Sequence, residues 1–121
     1  MPIIPLEAVK IETFDTGRTY QTIVGDEAGS TPVRIGIQTS PPGYSTGTHS
    51  HPYVEVVTVI DGTGEAWVEG EGGPKAIGPG STIVAPPNTK HGFRNTGQTV
   101  MRSYGVHASP VRITHRDDRD K

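Results

Sequence analysis

Residues 43–62 read GYSTGTHSHPYVEVVTVIDG, and the fold follows from this stretch. In extended chain, side chains two apart point to the same face, so His49 and His51 aim both imidazoles at one point. Pro52 cannot donate to a sheet ladder and marks a bend just after the pair. The chain resumes as VEVVTVI, a β-branched run that puts Glu55, Val57 and Val59 on one face. Two imidazoles from one strand and a carboxylate from the next form three legs of a metal site. Imidazole with carboxylate suits divalent iron, manganese, nickel, copper or zinc.

The rest of the composition agrees with a sheet protein. Twelve Val and ten Ile stand against a single Leu, Leu6, and stiff β-branched side chains favour a pleated surface. The 16 Gly and 11 Pro fall between apolar runs and read as turns. At 121 residues the chain has the length of one domain with one core. Short strands are expected at Tyr20–Val24, Val33–Thr39, Glu65–Glu69, Lys75–Ile77, Ser81–Ala85, Lys90–Asn95 and Thr99–His107. With turn signals between them at sandwich-like spacing, they predict an all-β antiparallel sandwich or barrel.

Several function classes are excluded or disfavoured. The absence of cysteine rules out disulfide scaffolds, thiolate metal sites and cysteine catalysis. A formal net charge of −2 with dispersed basic residues gives no footprint for nucleic acid. No apolar run is long enough to span a membrane, and the first ten residues lack the pattern of a signal peptide. A soluble, cytoplasmic protein is the default expectation.

Residues 80–95 read GSTIVAPPNTKHGFRN: a buried-looking strand, a Pro-Pro turn, then His91 opening the next strand with Phe93 and Asn95 on its face. If that strand pairs near the first, His91 joins His49, His51 and Glu55 as a fourth ligand. Together the two stretches resemble the paired signatures of the cupin superfamily. Its first, G-x5-H-x-H-x3,4-E-x6-G, is filled by Gly43, His49, His51, Glu55 and Gly62. Its second, G-x5-P-x-G-x2-H-x3-N, is matched by Gly80, Pro86, His91 and Asn95. The one departure is Asn88 where the family has Gly, and Asn tolerates the left-handed backbone conformation well.

The resemblance implies a single-domain, double-sheet jelly-roll barrel holding one divalent transition metal per chain by His49, His51, Glu55 and His91. It divides the chain into an N-terminal arm at 1–19, placed at an interface, a barrel at 20–108 and a polar tail at 109–121. A homodimer is expected from the family and from the apolar IIPL of the arm. The expected function is a metal-dependent oxygenase acting on a small organic substrate. The alternatives are a non-redox isomerase, lyase or cyclase, with Glu55 or His107 moving protons, and a non-catalytic small-molecule-binding module.

Other side chains carry weaker expectations. The strand VMRSYGVH is read with Met101, Ser103, Gly105 and His107 facing inward, which makes His107 a base, a gate or a plain rim residue. Tyr53 either lines the mouth or packs under a strand. Trp67 is assigned to the outer side of its sheet. Arg34 and Arg94 are surface residues unless one faces inward to hold an anionic group. His115 and the charged HRDDRDK segment are read as a solvated, frayed tail.

Overall fold

The computed structural model describes residues 3–116. Among the described residues, a 3-10 turn at Leu6–Ala8 is followed by eleven strands. These are β1 (Glu12–Thr13), β2 (Thr19–Val24), β3 (Arg34–Ser40), β4 (His49–Ser50), β5 (Glu55–Asp61), β6 (Gly64–Val68), β7 (Lys75–Ile77), β8 (Thr82–Ala85), β9 (His91–Asn95), β10 (Met101–His107) and β11 (His115–Arg116). One sheet runs β1-β2-β3-β10-β5-β8 and the other β11-β4-β9-β6-β7. Every pairing is antiparallel. The result is the expected all-β, double-sheet jelly roll.

Period-two alternation sends one row of each strand into the space between the sheets. In β8, Ile83 and Ala85 are buried while Thr82 and Val84 face outward. The core is built from Val57, Val59, Ala66, Ile83, Phe93 and Met101, with Tyr44, Val68 and Ile77 packed against it. The same rows change character along their length. On β5 the inward row passes from Val59 and Val57 to Glu55; on β9 it passes from Phe93 to His91. On β10 it runs from Met101 through Ser103 and Gly105 to His107, with Arg102 and Tyr104 on the other face. One end of the barrel interior is therefore apolar and the other is lined by ionisable groups.

The arm contains a helical turn and an edge strand paired to β2. The Gln21 side-chain amide donates to the carbonyls of Leu6 and Val9 and ties the turn to the barrel. Trp67 lies on the outer side of its sheet opposite Gly92, its indole N–H donating to Thr48 Oγ1. The expectation of a frayed tail fails for its first two residues. His115 and Arg116 pair with Ser50 and His49, although His115 remains exposed. A polar composition hid a strand whose stability comes from backbone bonds to a sheet edge. Residues 117–121 lie outside the described part of the chain.

Candidate metal centre

Two cross-strand pairs, one from each sheet, face each other at the polar end of the barrel. His49 is opposite His91 in the β4–β9 ladder, and Glu55 is opposite His107 in the β5–β10 ladder. His51 follows from β4 by the two-residue spacing. The ligand atoms of His49, His51, Glu55 and His91 all lie within 4.8 Å of one another, and this cluster could hold a metal ion. The three imidazoles are each no more than 8% exposed.

The hydrogen bonds around the rings prepare them for a cation. His49 Nδ1 lies 3.1 Å from the Gly47 carbonyl oxygen, His51 Nδ1 2.7 Å from that of Ile113, and His91 Nδ1 2.9 Å from that of Thr89. A carbonyl only accepts, so each Nδ1 carries the proton and each neutral ring turns a bare Nε2 lone pair inward. His51 and His91 Nε2 both stand 3.0 Å from Glu55 Oε1. Two lone pairs pressed on one carboxylate oxygen are unfavourable until a cation sits between them. His51 Nε2 is in fact a buried polar atom with no hydrogen-bond partner. The donor set and this orphaned atom both fit a divalent metal ion.

The electrostatics agree. Burial, reinforced by His91, lowers the His49 pKa to about 4, so the ring is neutral at physiological pH. For Glu55, burial pushes the pKa upward, but hydrogen bonding, led by the His107 N–H, outweighs it and holds the carboxyl well below its usual range. The site therefore presents a neutral His49 imidazole and an ionised Glu55 carboxylate, forms that a metal requires.

His107 differs from the other three histidines. Its Nε2 lies 3.1 Å from Glu55 Oε2, and its Nδ1 lies 2.8 Å from the Tyr53 hydroxyl. The Tyr53 oxygen accepts the Ile113 N–H at 3.2 Å, so its own proton is free to go to His107 Nδ1. His107 then carries its proton on Nε2, aimed at the carboxylate. Burial raises the Tyr53 pKa and keeps the phenol protonated. Tyr53 is buried and does not line the mouth: it holds His107 and stacks on His51 at 5.1 Å.

The chain from Gly36 to His107 matches the sequence model of the cupin domain. The chain belongs to the cupin family. No curated protein sequence matches this cupin. Among solved structures it is similar to the polyketide cyclase RemF from Streptomyces resistomycificus, with 20% identity, a TM-score of 0.80, and coverage of 100% of this chain and 88% of that one. A predicted oxalate decarboxylase from Thermotoga maritima gives 20% identity and a TM-score of 0.78 over 88% of this cupin and 97% of that chain. KdgF from a Halomonas species gives 19% and 0.75 over 93% and 96%.

The cavity of this cupin continues beyond the histidines into space lined by Tyr20, Gln38, Ser103 and three arginines, Arg18, Arg112 and Arg116. Neither arginine named from the sequence contributes. Arg34 lies outside that lining, with Nη1 donating to the Pro110 carbonyl at 3.4 Å; Arg94 turns outward, 2.8 Å from Glu65. Of the arginines that do face the cavity, Arg18 lies just before β2 and Arg112 in the segment between β10 and β11, where strand alternation gives no orientation, and Arg116 lies in β11.

Proposed function

We propose that this protein is a metal-dependent enzyme that moves protons on a small organic substrate, as an isomerase, lyase or cyclase does. The observation that carries the reading is the Tyr53–His107–Glu55 chain. His107 is the one ring of the cluster whose inward nitrogen bears a proton, and it lines the cavity. A proton given up at Nε2 is replaced at Nδ1 from the Tyr53 hydroxyl, and it returns by the same path. The Ile113 N–H steadies the Tyr53 oxygen while its proton is shared. His49, His51, Glu55 and His91 would hold one divalent ion, which when bound supplies Lewis-acid polarisation of substrate oxygens. The polyketide cyclase and the predicted oxalate decarboxylase among the similar structures fit such a class, although their likeness extends to the fold alone.

An oxygenase is the second reading. Three imidazoles with one carboxylate suit the redox-active ions iron and manganese as well as zinc, and the donor set does not choose among them. Turnover of catechol, diketone and enol substrates by the zinc-, iron(II)- and manganese(II)-loaded protein, in air and under argon, separates the readings. Proton-moving chemistry predicts turnover under argon with zinc. Turnover that needs oxygen and a redox-active ion overturns it in favour of the oxygenase, and absence of turnover throughout favours a binding module.

We also infer that the arm lies at a homodimer interface, because Ile3 is 94% and Ile4 43% exposed in the single chain. Sedimentation of the wild type and of a variant lacking residues 1–6 tests this. A wild type that stays monomeric at micromolar concentration overturns it.

A further inference from the structure

We propose that Arg18 and Arg112 form an anion-binding subsite in the cavity, which takes a carboxylate or phosphate group of a substrate whose oxygen donors lie at the histidine cluster. This rests on the metal-centre reading only for the second half of that statement. Arg18 is partly buried, and its Nη1 donates to Gln38 Oε1 at 3.2 Å while its guanidinium lies 3.8 Å over the Phe14 ring. Arg112 lies 4.7 Å over the Tyr20 ring. Both side chains are thus held in place by neutral partners. Among the described residues neither makes an ion pair with a carboxylate.

Arg18 is half-buried, and the guanidinium of Arg112, an exposed residue, lies close by. Burial, then the positive charges of Arg112 and Arg116, lower the Arg18 pKa. Among the described residues, Glu55 is the only carboxylate in the cavity lining, and it is committed to the histidines. Among the described residues, Arg18 and Arg112 thus put positive charge on the lining of one cavity in a protein of net charge −2, an arrangement that draws in anions. A separate observation points to the same place. Tyr20 is 6% exposed, and its hydroxyl, set against Gly36 in the cavity wall, has no hydrogen-bond partner. A polar ligand group gives that oxygen a partner and gives the arginines a counter-charge. Arg guanidinium is suited to planar, two-pronged contact with carboxylate or phosphate oxygens.

The test titrates the zinc-loaded, full-length chain with 2-oxobutyrate and with 2-oxoglutarate, which share a chelating end and differ in the distal carboxylate. Calorimetry is expected to show at least tenfold tighter binding of 2-oxoglutarate. Arg18→Gln and Arg112→Gln should each erase that advantage and leave zinc content and 2-oxobutyrate affinity unchanged. In parallel, inorganic phosphate is titrated into the chelator-treated chain, where its binding should weaken at least tenfold in either variant. Phosphate binding that needs the arginines, in a protein that takes up no zinc, upholds the subsite and overturns the metal centre. Zinc uptake with no distal preference and no phosphate binding overturns the subsite, as does a preference that both variants retain.

Discussion

His51 and Ile113 are joined by a 2.7 Å contact between Nδ1 and a backbone carbonyl oxygen, across 62 residues of sequence. The Ile113 N–H donates to the Tyr53 hydroxyl, so one peptide segment fixes both a ligand ring and the partner of His107. Orientation of the cluster is therefore partly in the hands of a segment that contributes no ligand.

Ending the chain after Arg112 removes that carbonyl, whereas ending it after Arg116 keeps it. The shorter protein should bind zinc about 10–100-fold more weakly, the usual cost of losing the group that orients a metal-bound histidine. Competition against a chromophoric chelator measures this. Equal affinity in the two truncations would show that Ile113 does not orient His51.

Tyr53→Phe keeps the ring stacked on His51 and removes only the hydroxyl. Its expected stability cost is about 1–3 kcal/mol, for the two hydrogen bonds lost at His107 and Ile113. Zinc stoichiometry should not change, but kcat should fall roughly tenfold or more with KM held, because His107 loses its proton partner. A fall in zinc content instead would assign Tyr53 to holding His51.

Asn88 has φ 60°, and its backbone N–H donates to the His51 carbonyl at 2.6 Å. Asn88→Gly should be close to neutral in denaturant unfolding. Asn88→Ala should cost about 1–2 kcal/mol, the penalty for a left-handed residue without glycine's freedom or asparagine's tolerance. Equal stability of the three proteins would contradict that account.

Gly36 on β3 is covered by the Tyr20 ring, which occupies the space a Cβ would need. Gly36→Ala should cost about 1–3 kcal/mol by overpacking and move the ring that carries Arg112. Urea unfolding reads the first effect and tyrosine fluorescence the second. An alanine variant as stable as the wild type would mean that the ring relocates freely.

The parts of this site that lie on regular strands were legible in the sequence. His49 and His51 share a face because the side-chain period is two, and the same rule groups His107 and Ser103 on one face with Met101. Asn88 could be recognised as a turn residue by its backbone tolerance. What escaped reading depends on non-local contacts. Tyr53 follows the Pro52 bend, where alternation stops, and its role exists only because Ile113 and His107 arrive beside it. Arg18 and Arg112 sit in irregular segments, and no local pattern announces which way such side chains turn. The β11 strand was hidden by its charge, because an edge strand of two residues needs no apolar side chains to pair.

The 62 residues between His51 and Ile113 also set an order of events during synthesis. At 5–20 residues per second, a ribosome needs roughly 3–12 s to supply Ile113 after His51 has been made. The His-x-His pair and Glu55 are made first, and the β9 histidine, the β10 histidine and the carbonyl that locks His51 follow in that order. A half-made barrel thus offers a passing metal ion only an unoriented, incomplete set of donors. The cluster of four that could hold a metal ion is therefore complete only late, when the sheets close.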